Sequence, residues 1–226
     1  MTTAIQPITP QSTLADLATA HAGASRVFHR HGLDFCCHGR VTLESACVQR
    51  QLDTGALIGE LRAEEARGED FRAWDEEPLD ELIEHVLEHF HAPHRLELAR
   101  LREAACKVES VHAEKADCPH GLAEHLARMA DELEDHMQKE EQVLFPMVRA
   151  GRGALAAMPV QVLEQDHRDH ALHLQRLRAL AHDFVAPAEA CNTWRALYLG
   201  LEALERDLMQ HIHLENNVLF PRALRS

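Results

Sequence analysis

Apolar residues recur three or four positions apart along most of the chain, the spacing of one face of an α-helix, and prolines punctuate the pattern. Pro78, Pro119, Pro159 and Pro187 each stand where a long periodic stretch begins. That is the first-turn position, where the N–H that proline lacks would have had no partner anyway. These prolines cut the C-terminal two-thirds into four predicted helices, roughly 78–115, 119–149, 159–184 and 187–219. Upstream, shorter helical patterns over 11–63 (Leu14, Leu17, Val27 and Phe28, then Leu57, Ile58 and Leu61) predict a small helical N-terminal domain. The charged stretch 64–77 reads as an interdomain linker and 1–10 as a loose tail. The fold class expected is all-α, a four-helix bundle over 78–222 preceded by the small domain.

Polar residues interrupt the apolar seams at matching places. On the second long segment Leu122, Leu126, Met129 and Leu133 lead to His136 and Glu140, with Val143 and Met147 continuing the stripe. On the fourth, Trp194, Leu197, Leu201, Leu204 and Leu208 lead to His211 and Glu215, and Val218 follows. The first segment places His91 and His94 on a seam with Leu87, Leu98 and Leu101. The third places His167 and His170 among Val160, Leu163, Leu174 and Leu177. A repeat underlies this: His136-x3-Glu140-x2-Val-Leu-Phe-Pro146 recurs 75 residues later as His211-x3-Glu215-x2-Val-Leu-Phe-Pro221. His91-x2-His94 and His167-x2-His170 stand 76 apart, so the helix pair as a whole is duplicated.

A histidine and a glutamate at i,i+4 project from one helix face and can hold one metal or two adjacent ones. Two such pairs, with one histidine from each remaining helix, supply four imidazoles and two carboxylates able to bridge. That donor set, without thiolate, favours paired iron or manganese over a structural zinc. Two six-coordinate ions offer about twelve positions and these groups fill about eight, so the site stays open to small ligands. Left unpaired, two inward carboxylates would cost several kcal/mol each, and no inward Lys or Arg is placed to meet them.

Composition narrows the remaining classes. With 37 acidic and 23 basic residues the formal charge is −14, which argues against a nucleic-acid or anionic-membrane surface. Aromatics at 4% argue against stacking platforms for single-stranded nucleic acid. No secretory signal and no apolar run long enough to span a bilayer is visible, so the expectation is a cytoplasmic protein. Its six cysteines (36, 37, 47, 106, 118, 191) are then free thiols. The 18 histidines are spread along the chain rather than run together as a tract. Adjacent Cys36 and Cys37 are candidate functional thiols, suited to a soft metal, to nitric oxide or to disulfide exchange, or else two small core residues. Cys47, Cys106, Cys118 and Cys191 read as structural.

The two His-x3-Glu copies with their Val-Leu-Phe-Pro tails, the ending Glu-Asn-Asn-Val-Leu-Phe-Pro-Arg-Ala-Leu, and Asp34-Phe35-Cys36-Cys37-His38-Gly39 together resemble the hemerythrin-like iron–sulfur cluster repair proteins, the repair of iron centres family. The resemblance covers nearly the whole chain. It implies a hemerythrin-like bundle holding two iron ions, oxo-bridged and non-haem, on His91, His136, Glu140, His167, His211 and Glu215, with Glu140 and Glu215 bridging. It implies a stress protein whose clients are iron–sulfur proteins damaged by nitric oxide or oxidants, with nitric oxide or oxygen as the small ligand, and it allows a homodimer. The alternative is a nitric oxide scavenger, or an oxygen or nitric oxide sensor, without repair; whether the chain turns over as an enzyme stays open. Ala171, four residues after His167, departs from the His-x3-His of oxygen carriers. His94 is expected to orient a ligand, His170 is unassigned, and Glu132 and Asp166 either line a path to solvent or form a solvated face.

Overall fold

A computed structural model of the protein describes residues 7–67 and 71–226. Among the described residues the architecture is helical, with no strand beyond one isolated bridge between Thr13 and Thr42.

The N-terminal helices are α1 (Leu14–Ala20), α2 (Ala24–Arg30), α3 (Leu43–Arg50) and α4 (Thr54–Glu65). Three of them start where a side-chain oxygen accepts an orphan first-turn N–H: Thr13 from Asp16, Thr42 from Ser45 and Asp53 from Ala56. Their inner faces make a core of Leu14, Leu17, Val27, Phe28, Phe35, Leu43, Leu57 and Leu61. Gly39 sits where a Cβ would collide with the Phe35 carbonyl oxygen and lie 2.8 Å from the Ala15 Cβ, so the loop after Cys36-Cys37 closes on α1 only with glycine.

Both segments expected to be irregular turn out to be ordered in part. Residues 1–6 of the tail and 68–70 of the linker lie outside the described residues. Ile8 is buried in the N-terminal core, and the Pro10 and Ser12 carbonyls accept from Glu44 and Leu43 N–H, so the end of the expected loose tail is fixed. Glu64 is no linker residue: it ends α4 buried, with Arg26 at 2.9 Å, Arg67 at 3.2 Å and Arg30 at 3.5 Å. Its charge made it look solvated, but three guanidiniums compensate its burial.

The long helices run α5–α6 (Leu79–Val86, Ala92–Val111), α7–α8 (Leu122–Lys139, Phe145–Arg149), α9 (Ala157–Leu180) and α10–α11 (Asn192–Leu214, Phe220–Ala223). Two start later than their prolines suggest. Gly121, in the left-handed region at φ +84°, delays α7 to Leu122, and a turn over 187–190 precedes α10. Inside the bundle α6 and α10 approach closely; a Cβ on Gly200 would meet Leu101 Cδ2 at 2.6 Å. Arg178 of α9 bonds both oxygens of buried Glu205 of α10 at 2.6 Å.

Three of the long helices contain a single wide π turn, at Leu87–His91, Glu140–Leu144 and Glu215–Leu219. In each, the N–H that follows the turn reaches back five residues: Ala92 to Leu87, Phe145 to Glu140, Phe220 to Glu215. A proline follows that donor every time (Pro93, Pro146, Pro221), and proline has no N–H with which to continue the i→i−4 ladder. The extra residue rotates the stripe. Val143, expected inward, is exposed, while Leu144, Phe145 and Val148 are buried in its stead.

The chain packs as two compact units, one reaching to Leu82 and including Met209–Arg222, the other comprising Ile83–Leu208 and Ala223–Ser226. This division differs from the expected domains 11–63 and 78–222, because the end of the fourth helix packs with the N-terminal helices. His213 there is fully buried, 3.3 Å from Thr19 Oγ1 and with its ring 5.5 Å from that of Phe35. Arg222 donates to the Trp74 carbonyl of the expected linker.

Candidate metal centre

In the larger unit, three of the long helices bring His91, His136, Glu140 and His167 together, each at most 1% exposed. The Glu140 Oε2 lies 3.2 Å from His91 Nε2 and 3.3 Å from His136 Nε2, and His136 Nε2 lies 3.2 Å from His167 Nε2. No hydrogen bond reaches either Glu140 oxygen. The π turns set this arrangement, since one ends at His91 and another begins at Glu140.

The far sides of two rings explain the missing donors. His91 Nδ1 is 2.8 Å from Glu141 Oε1, and His136 Nδ1 is 3.4 Å from Asp166 Oδ2. Each of these outer carboxylates is also held by a base, Glu141 by Arg95 at 3.0 Å and Asp166 by Lys139 at 2.7 Å. A carboxylate at Nδ1 keeps the ring proton there and turns the Nε2 lone pair inward. In that tautomer two lone pairs face one carboxylate oxygen. Acceptors this close repel unless a cation stands among them, so the residues fit a bound metal. Burial alone would raise the Asp166 pKa, but the bonds from His136 and Lys139 outweigh it and lower it to about 2, so the outer carboxylate stays charged.

On the fourth helix His211 and Glu215 are both fully buried, with Nε2 and Oε1 2.9 Å apart, one turn from each other as their spacing requires. The four expected ligands of the larger unit are thus gathered, and the remaining two form a pair on their own helix.

The other candidates separate. His170 is buried with its ring 5.2 Å from His136, and no hydrogen bond reaches its Nε2. Burial, then the neighbouring His136 and His167, press its pKa down to about 2, so it is neutral. His94 is buried with its ring 6.0 Å from Phe90. Glu132 is exposed and pairs at 2.7 Å with His173. His125 is buried and bonded to the His173 carbonyl. Cys47 and Cys118 are buried, whereas Cys106 and Cys191 are exposed and so not core residues. Cys36 and Cys37 lie with Sγ atoms 3.8 Å apart beside Asp34, in the N-terminal unit. Glu141 escaped sequence reasoning altogether; its only signal was a second glutamate directly after the inward one.

A family model described as the hemerythrin HHE cation binding domain matches residues 82–223, a span that contains all six expected ligands. The chain belongs to the hemerythrin family. A second model, a domain of unknown function (DUF542), matches residues 10–65 and so contains the Cys36-Cys37 pair. The relatives of this hemerythrin-family chain include proteins named iron-sulfur cluster repair protein YtfE. The one from Pectobacterium carotovorum is 47% identical over 213 residues, covering 94% of this chain and 96% of the relative. That of Musicola paradisiaca is 46% identical over 215 residues (95% and 97%), and that of Yersinia pseudotuberculosis 45% over 213 (94% and 96%). Among the described residues no helix is long and apolar enough to cross a membrane.

Proposed function

We propose that this hemerythrin-family chain repairs damaged iron–sulfur clusters and holds two iron ions on His91, His136, Glu140, His167, His211 and Glu215. The observation that carries the reading is the Glu140 carboxylate, fully buried, reached by no hydrogen bond, and nearly equidistant from two imidazole nitrogens. Such an oxygen would suit holding a cation pair, and the repeat supports the same part for Glu215. Near-full-length similarity to relatives named as cluster repair proteins supports the activity.

Bound there, iron supplies redox chemistry toward nitric oxide or oxygen and a store from which a client's cluster can be rebuilt. The protein's own groups set the conditions. Glu141 and Asp166 hold the Nδ1 protons and so keep the inward nitrogens of His91 and His136 free to coordinate. Arg95 and Lys139 neutralise those outer carboxylates, so that they orient the rings without drawing a metal outward themselves. Leu133, Met137, Leu144 and Phe145, all buried, keep bulk water off the helices that carry the ligands. Neutral His170 adds no charge to the cluster.

The test combines metal analysis and Mössbauer spectroscopy of the purified protein with reactivation of a nitric-oxide-damaged iron–sulfur enzyme. Two irons per chain, with reactivation that fails in iron-free protein, support the reading. Two irons with nitric oxide uptake but no reactivation would make the chain a scavenger or sensor.

A further inference from the structure

The bundle's donors are imidazole and carboxylate; the N-terminal unit offers a different set. Cys36 Sγ lies 3.8 Å from Cys37 Sγ and 3.3 Å from Asp34 Oδ1, and the three groups present ligand atoms within 4.8 Å of one another. We propose that Asp34, Cys36 and Cys37 form a separate thiolate site for one soft or borderline divalent ion, with its fourth position open for exchange.

Geometry is the first support. Metal–sulfur bonds of about 2.3 Å at a tetrahedral angle put two sulfurs about 3.8 Å apart. With an oxygen at about 2.0 Å, the corresponding sulfur–oxygen separation is about 3.5 Å. The observed spacings, 3.8 and 3.3 Å, already sit near both values. A disulfide would need the same sulfurs about 2.05 Å apart within one dipeptide.

The surroundings hold that geometry. Asp34 Oδ1 accepts the Cys37 N–H at 2.9 Å, which fixes the carboxylate over the turn, and Oδ2 is occupied by His38 Nδ1 at 2.7 Å. An Asp carboxylate with a histidine on its outer oxygen is a supported ligand. From the fourth helix, the side-chain amides of Asn216 and Asn217 donate to the Cys36 carbonyl at 3.2 and 3.3 Å. The thiol loop is therefore fastened to the residues directly after Glu215. Cys36 is buried while Cys37 is half-buried and His38 exposed, so the open position faces the accessible side. Binding releases the two thiol protons to solvent as both sulfurs coordinate, and no electron moves. The Cys37 thiol, together with burial, raises the Cys36 pKa well above its usual value.

The thiolate site needs no iron in the bundle, and the test separates the two. Full-length protein, freed of metal by chelation, is titrated with Co2+ while the sulfur-to-cobalt charge-transfer band is followed; imidazole–carboxylate sites give no such band. Cobalt added to saturation should develop it in wild type, and equally in Glu140→Leu, with the intensity of one thiolate-bound ion per chain. Cys36→Ser/Cys37→Ser should lose it with its remaining cobalt uptake unchanged, and Asp34→Asn should weaken affinity about tenfold or more. No band in wild type, or a band that survives the double substitution, overturns the proposal. A second measurement needs no variant: saturating Zn2+ should slow alkylation of Cys37 at least tenfold, with exposed Cys106 and Cys191 unaffected. Equal slowing at all three, or none at Cys37, overturns it as well.

Discussion

Replacing Glu140 by leucine should stabilise the metal-free protein and destabilise the iron-loaded one. The side chain is fully buried, no hydrogen bond reaches it, and its nearest polar neighbours are the His91 and His136 nitrogens at 3.2 and 3.3 Å. An ionised carboxylate so placed costs several kcal/mol of desolvation, offset only as far as an imidazole carries a proton toward it. Because no donor compensates it, removing the carboxylate recovers part of that desolvation, on the order of 1 kcal/mol or more. For a chain of this length that is roughly 2–4 °C of melting temperature per kcal/mol. Iron reverses the order. A ligand at a hundred times its dissociation constant adds about 2.7 kcal/mol to the folded state, and the leucine variant forfeits most of that. The assay is thermal unfolding by circular dichroism, with chelator and with ferrous iron under anaerobic conditions, alongside iron analysis. A chelated variant that melts below wild type would show that the protein itself satisfies the carboxylate. Two irons retained in the variant would remove Glu140 from the site.

Asp166→Asn, which leaves His136 Nδ1 without its charged partner, should weaken iron binding about 10- to 100-fold, measured by competition with a calibrated chelator; unchanged affinity would leave Asp166 no orienting role. Glu205→Ala removes the bidentate partner of Arg178, which keeps Asp183 at 3.7 Å, and should cost about 1.5–3 kcal/mol in chemical denaturation, a loss under about 0.5 kcal/mol counting against the pair. The Arg26 hydrogen bonds lower the Glu64 pKa below 4.5 against the opposing effect of burial. Between the two values the unfolded chain binds more protons than the folded one, so the stability due to Glu64 is complete above pH 4.5 and drains as pH falls through the lowered value. Urea midpoints of Glu64→Gln should consequently depend less on pH than those of wild type below pH 4.5; parallel slopes would deny the linkage.

The sequence by itself determined the helices and the inward histidines and glutamates. Both are written in local periodicity: an apolar residue every third or fourth position fixes a buried face, and a polar residue in that face must find a partner there or a metal. His136 and Glu140 were legible for that reason, and their repeat made His211 and Glu215 legible too. Periodicity failed at Val143, since a π turn adds a residue that no α-helical count contains; the downstream proline marks such a turn only once its i→i−5 bond is seen. It gave no reading of Glu141, left Asp166 between a path to solvent and a solvated face, and put Glu64 in a linker. Their partners lie 50, 30 and 38 positions away at His91, His136 and Arg26. Only the tertiary structure supplied those pairs, and it alone packed Met209–Arg222 with the N-terminal helices, where Asn216 and Asn217 hold the Cys36 carbonyl. A helix pattern states which face is buried but not against what, because that depends on contacts between residues far apart in the chain, and these leave no period in the sequence.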